Sequence, residues 1–202
     1  PWIAIITSAN PDHLDIYHNA ANYRESFEKF TFLIREDGYL IMKENIPVTP
    51  KCHPSVKQYS YSLSSGDFHA ENIRIGNGAL LFDFVYPKGK INDVELGVPV
   101  LINVENAIAA GAAAWLSGVE PEEIKSALLG YMGARRRFDI RCKTDKMVLI
   151  DDYAHHPDEV EASISSIRKL YDNKKITGIF QPHLYSRTRD FADAFADSLS
   201  LL

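Results

Sequence analysis

The sequence predicts an α/β fold of doubly wound character, and three observations predict it. Continuous apolar runs of strand length recur along the chain, each followed by polar residues and then by a stretch with helical spacing. Between residues 58 and 97 the period of the pattern falls to two, as in an antiparallel sheet with one exposed face. The chain has 202 residues, 46% of them hydrophobic and 24% charged, enough to bury a sizeable core in one large domain or two small ones.

Residues 2–7 form the first apolar run, and the polar turn Ser8-Ala9-Asn10-Pro11-Asp12-His13 follows at once, the pattern of a buried parallel strand with a loop at its carboxyl end. Tyr23, Phe27, Phe30 and Ile34 recur at helical spacing, so residues 19–34 are predicted as a helix. Residues 38–42 read as a short strand and 45–56 as a proline-containing loop. Phe82, Phe84 and Tyr86 alternate with Leu81, Asp83 and Val85, and Gly76-Asn77-Gly78 supplies a hairpin turn. Val104, Ala107, Ile108, Gly111 and Trp115 mark a helix whose small residues permit close packing. Gly118 ends it, and Pro121 opens another running to about Gly130.

Residues 131–134 are the predicted linker, placing one domain at 1–133 and a second at 134–202. In the second domain the pattern gives strands at 138–142 and 147–150, a helix from Pro157, a buried strand at 176–180 and a last helix from near Ser186. Strand, loop and helix in that repeating order are the doubly wound signature.

Composition excludes several function classes. A net charge of −5 opposes non-specific binding to nucleic acid or to an anionic membrane, both of which need a basic face. Cys52 and Cys142 stand far apart without metal-ligand spacing, which fits a reducing cytoplasm better than a disulfide framework. No apolar run reaches the roughly 18–20 residues of a membrane span. Arginine concentrates in the second half, at Arg135, Arg136, Arg137, Arg187 and Arg189, and suits recognition of phosphate or carboxylate.

Four polar clusters fall where an open α/β sheet binds ligands or where a helix starts. The segment 10–15 sets His13 beside carboxylates, either as a cation ligand or as an exposed residue of a capping turn. Asn103 and Asn106 share a helix face and offer donors and acceptors that suit an adenine edge; alternatively Asn103 is a plain N-cap and Asn106 a solvated side chain. Of Arg135, Arg136 and Arg137 at most two can share a face, and one could reach a γ-phosphate; the alternative is a solvated charge run. Segments 151–157 and 181–189 each follow an apolar run and precede a helix, so Asp152, Tyr153, His155, His183 and Arg187 are expected to converge in one crevice. Asp158 and Glu159 read only as partners of the helix dipole.

In this order, "NPDHLDIY", "NVENAIAA", "RRRFD", "DDYAHHPDEV" and "FQPHLYSRTRDF" resemble the motifs of the UDP-N-acetylmuramate–L-alanine ligase branch of the ATP-dependent Mur ligases. The related murein-peptide recycling ligases share the Asp-Asp-aromatic-Ala-His-His-Pro type of loop, but "FQPHLYSRT" favours the biosynthetic branch. A non-catalytic adenine-nucleotide-binding module is the reading from another class.

The resemblance implies part of a central ATP-binding domain followed by the first part of a Rossmann-like amino-acid-binding domain. It also implies that both ends are cut, with the UDP-binding domain and phosphate loop missing, since no GxxxxGK[ST] occurs. An inactive segment is therefore expected. The implied chemistry is phosphorylation of the muramate carboxylate by ATP with Mg2+, then attack by L-alanine on the acyl phosphate. By motif match, His13 is a metal ligand, Asn106 and Asn103 meet adenine, and Arg137 and Asp152 reach ATP. Tyr153, His155, His183 and Arg187 line the pocket for L-alanine and the muramoyl carboxylate, with His155 and Arg187 as catalytic residues. Two departures stand out. Ile102 occupies the position of a histidine in the usual lead into the adenine helix, and Leu184 that of an arginine.

Overall fold

In the computed structural model, which describes residues 1–10 and 14–202, the first apolar run becomes strand β1 (Ile3–Ile6). It pairs in parallel with β2 (Tyr39–Lys43), which pairs in parallel with β3 (Lys57–Tyr61), so β2 is central and Ile3 lies opposite Tyr39. Parallel neighbours need a crossover, and α1 (Leu14–Tyr17) and α2 (Ala20–Phe32) supply it between β1 and β2. Asn19 caps α2, its side-chain oxygen accepting the Asn22 amide at 2.9 Å. Ala4, Ile6, Ile34, Leu40, Val48 and Val56 form the core here, with Phe27 packed against them. Each large apolar side chain so buried contributes about 1.5–3 kcal/mol.

Residues 57–61 differ from the antiparallel reading. Alternation reports a half-exposed face, and an edge strand such as β3 has one whether its neighbour runs parallel or antiparallel. The expected hairpins begin with β4 (His69–Gly76) and continue through β5 (Ala79–Tyr86) and β6 (Gly89–Glu95), ordered β4-β5-β6. Two-residue connections can join only antiparallel neighbours. At the first connection Asn77 (φ 52°) and Gly78 (φ 74°) both adopt the left-handed conformation that a type I′ turn demands. Leu80, Phe82 and Phe84 are fully buried. Asp83 points to the other face yet is only 6% exposed, because its carboxylate accepts Asn72 Nδ2 at 2.7 Å and the Asp93 amide at 3.0 Å. Asn72 and Asp93 themselves sit at φ 50° and 53°.

Helix α3 (Leu101–Leu116) buries Val104, Ala107, Ile108, Gly111 and Ala112. A Cβ on Gly111 would stand 3.1 Å from the Phe84 ring, so its absence lets the helix lie close. Gly118 (φ 87°) stops the chain after α3, and α4 (Pro121–Gly130) opens on its proline.

Further on, β7 (Asp139–Lys143) and β8 (Val148–Asp151) pair antiparallel, with Asp139 opposite Asp151. Helices α5 (Pro157–Leu170), α6 (Tyr185–Asp190) and α7 (Ala192–Leu199) follow. The strand expected at 176–180 is absent. Those residues form no strand and Ile179 is fully exposed. An apolar run becomes a strand only beside a hydrogen-bonding neighbour, and among the described residues no strand lies next to this one. Ile176 and Phe180 are half-buried, and the Phe180 ring packs against Phe195.

The chain divides into two compact units, one of residues 1–72, 82–94 and 104–126, the other of residues 73–81, 95–103 and 127–202. In the second unit Val98, Val100, Phe138, Leu170 and Tyr171 form one cluster, and Val160, Ile164 and Phe195 another beneath α5 and α7. Among the described residues no helix is long and apolar enough to cross a membrane.

Candidate active site

The segment between β8 and α5 carries the densest set of predicted site residues, and local hydrogen bonds fix its shape. Glu159, in the first turn of α5, accepts the backbone N–H of His155 at 2.9 Å and of His156 at 3.2 Å. His156 is the N-cap, its Nδ1 accepting the Asp158 amide at 3.4 Å, so cap and carboxylate form a reciprocal capping box. Burial alone would raise the Glu159 carboxyl. The two amides, the neighbouring His155 imidazole and the Arg137 charge outweigh it and hold the group below the usual carboxylate range.

Tyr153 is held from two sides. Its amide donates to the Arg136 carbonyl at 2.8 Å, and the Arg136 guanidinium lies over its ring, 4.9 Å from the centroid. The His155 ring packs against Tyr153 at 5.1 Å, and His155 Nδ1 lies 2.9 Å from the Tyr153 carbonyl oxygen. Asp152 accepts a 2.7 Å hydrogen bond from Ser163 Oγ, one α5 turn further on. Arg136 and Phe138 adopt φ 60° and 47°, left-handed values costly for such side chains, and such strain is common beside functional sites. The left-handed turn at Arg136 separates the arginines: Arg136 covers Tyr153, while Arg137 acts on Glu159 and is exposed.

The second predicted segment approaches through one ring. Phe191, at the junction of α6 and α7, packs edge-on against His156 at 5.1 Å, and its amide donates to the Arg187 carbonyl. Arg187 is half-buried on α6 and His183 is exposed just before it. Among the described residues no hydrogen bond or ion pair joins the side chains of His183 or Arg187 to Asp152 or His155. Leu184 precedes α6 at φ 69° and leaves the helix without a side-chain cap.

On α3, Asn103 is inside the first turn rather than at the N-cap, and its Nδ2 donates to the Val98 carbonyl at 3.2 Å. Asn106 is exposed one turn on. Between them Glu105 pairs with Lys43, at the carboxyl end of β2, at 2.6 Å. Burial, and then the Glu105 charge, push the Tyr61 phenol up to about 12. His13 lies outside the described residues. Among the described residues no group of three or more His, Cys, Asp or Glu is placed to hold a metal ion.

The sequence reading misses Glu159 and Ser163 as site residues, and it weighs Arg136 only as one of three arginines for a γ-phosphate, not as the cover of Tyr153. The His-x-x-Glu spacing at 156–159 was the available signal for the first, being a capping box with an imidazole in place of the usual hydroxyl. Nothing local signals Ser163 or the contact between Arg136 and Tyr153.

Known proteins bear on these geometries. A family model described as the Mur ligase middle domain matches residues 1–114, and one described as the Mur ligase glutamate ligase domain matches residues 136–202. The chain is 61% identical to a UDP-N-acetylmuramate–L-alanine ligase of Parabacteroides distasonis and 55% identical to one of Phocaeicola vulgatus, in each case over all of this chain and 44% of the relative. The chain thus spans less than half the length of these relatives. Among solved structures, the UDP-N-acetylmuramate-alanine ligase of Thermotoga maritima superposes with a TM-score of 0.81 at 28% identity, over all of this chain and 44% of that one.

Proposed function

This chain belongs to the Mur ligase family, and from that premise we propose that it is the working centre of a longer enzyme that joins L-alanine to UDP-N-acetylmuramate with ATP. The identity of 61% across the whole chain to a ligase of that name carries the reading. Residues 1–133 are assigned to a central ATP-binding domain and 134–202 to the start of a Rossmann-like amino-acid-binding domain, in a cytoplasmic enzyme of peptidoglycan synthesis.

The muramate carboxylate takes the γ-phosphoryl group of ATP, and the amine of L-alanine displaces phosphate from the acyl phosphate. Both steps gather negative charge on phosphoryl oxygens. Arg137, exposed beside the 151–157 segment, is the cation offered to them. Asn106 and Asn103 are assigned to adenine, and Asp152, held by Ser163, to the nucleotide. Tyr153 and His155 form one wall of the amino-acid pocket, to which His183 and Arg187 contribute a donor and a carboxylate clamp. Magnesium is usually held by one or two carboxylates together with substrate phosphates. It would arrive with ATP, with His13 as the proposed protein ligand, and would neutralise phosphate charge.

The test is phosphate release in a chain that supplies the remaining length of the relatives. Release should require ATP, UDP-N-acetylmuramate and L-alanine together, and Arg187→Ala should lower kcat/KM for L-alanine by roughly 10²-fold. The 202 residues alone should release none. Turnover that ignores L-alanine would refute the proposal.

A further inference from the structure

His155 Nδ1 faces two oxygens that can only accept. The Tyr153 carbonyl is 2.9 Å away and the nearer Glu159 carboxylate oxygen 3.4 Å. A neutral imidazole carries one proton, on one nitrogen or the other. A bare Nδ1 would set a lone pair against both oxygens, whereas a protonated Nδ1 donates to the Tyr153 carbonyl and turns its proton toward the carboxylate's negative charge.

We propose that Glu159 is a positioning residue that fixes His155 in the Nδ1–H form, leaving Nε2 as the sole acceptor of the ring. The same carboxylate accepts the amides of His155 and His156, so one group sets the backbone, orientation and tautomer of the imidazole together. Tyr153 packs against the ring and is itself clamped by Arg136, which restricts rotation about the side chain. The other ionisable groups about this turn are Arg136 over Tyr153, Arg137 acting on Glu159, Asp152 held by Ser163, and His156 with Asp158 at 3.5 Å.

What the Nε2 lone pair is for rests on the ligase reading. An amino-acid substrate arrives as an ammonium and attacks only as a free amine. One proton passes from the ammonium to Nε2, the amine lone pair is freed, and the resulting imidazolium keeps its Nδ1–H on the Tyr153 carbonyl. The Glu159 carboxylate offsets the new charge, the role of the orienting third group in a nucleophile–base arrangement.

Two measurements test this separately. The first is nitrogen-15 NMR of the histidine-labelled 202-residue chain at about pH 8.5, above the ordinary histidine range, with His155→Gln identifying the resonances. His155 should show a pyrrole-like Nδ1 and a pyridine-like Nε2, the reverse of the usual preference of a free side chain. An Nε2–H pattern, or averaging between the two forms, would overturn the proposal whatever the enzyme does.

The second is Glu159→Gln in the longer enzyme. Glutamine still accepts the two amides, so the helix start is kept. The variant should lose roughly 10-fold in kcat, as orienting partners typically do, with KM for ATP unchanged, and its Nδ1–H population should fall. Full rescue of kcat and tautomer by glutamine would reduce Glu159 to a helix cap and sink the positioning role. A wild-type enzyme without L-alanine-dependent turnover would instead remove the ligase reading and leave the tautomer result standing.

Discussion

Replacing Tyr171 with phenylalanine is expected to stabilise the chain. Tyr171 ends α5, is 9% exposed and packs with Val98, Val100, Phe138 and Leu170. Its ring also lies against the β4–β5 turn, with Cε1 2.8 Å from where a Cβ on Gly78 would stand. The hydroxyl is buried with no hydrogen-bond partner, and burial pushes the phenol above its ordinary value. Withdrawing an unpaired hydroxyl from water costs about 1–3 kcal/mol. Phenylalanine keeps the ring and drops that cost, while the void left by one oxygen returns part of the gain. A net increase of about 1 kcal/mol is expected, or a Tm rise of roughly 2–4 °C for a chain of this size. Urea unfolding followed by circular dichroism would measure it, with an unchanged m value marking an unaltered unfolded state. Tyr171→Leu serves as the control and should cost about 1–3 kcal/mol through lost packing. A loss of about 1 kcal/mol or more in Tyr171→Phe would show that the hydroxyl holds a hydrogen bond and refute the reasoning.

Gly78→Ala should cost about 2–3 kcal/mol, because φ 74° strains any other residue and the new Cβ meets the Tyr171 ring; the same urea titration reads it. Tyr61 should make stability fall with rising pH. Its folded value of about 12 exceeds the ordinary tyrosine value of 10.0, so the contribution is full below the unfolded value and is lost as pH rises toward 12. Tyr61→Phe should flatten that alkaline limb in a pH series of unfolding midpoints. Ser163→Ala frees the Asp152 carboxylate and should raise KM for ATP by roughly 10-fold in the longer enzyme, with a stability loss of about 1 kcal/mol.

Where local chemistry decides structure, the sequence was a sufficient guide. Asn19 caps its helix, Asn77-Gly78 turns its hairpin, Gly118 and Pro121 bound their helices, and residues 2–7 yield β1. Outcomes that depend on distant partners were not legible. The direction of β3 is set by β2, and alternation in 57–61 is blind to it. Residues 176–180 have the composition of a strand, but among the described residues no strand lies beside them to pair with. Asp83 looked like an outward residue because its partners, Asn72 and Asp93, lie on the flanking strands. The 151–157 segment was legible as polar residues at a strand end, yet the division of labour between Arg136 and Arg137 was not. It arises from a left-handed residue whose sequence carries no glycine or asparagine to announce it.

The β7–β8 ribbon has a consequence for anyone handling the protein. Among the described residues no third strand joins either side, so both flanks present unpaired amides and carbonyls, beside Met147 and Leu149, each more than half exposed. Such flanks recruit further strands from other molecules. Concentrated preparations of these 202 residues should therefore turn turbid in a dose-dependent way, and a lysine at position 149 should keep them clear.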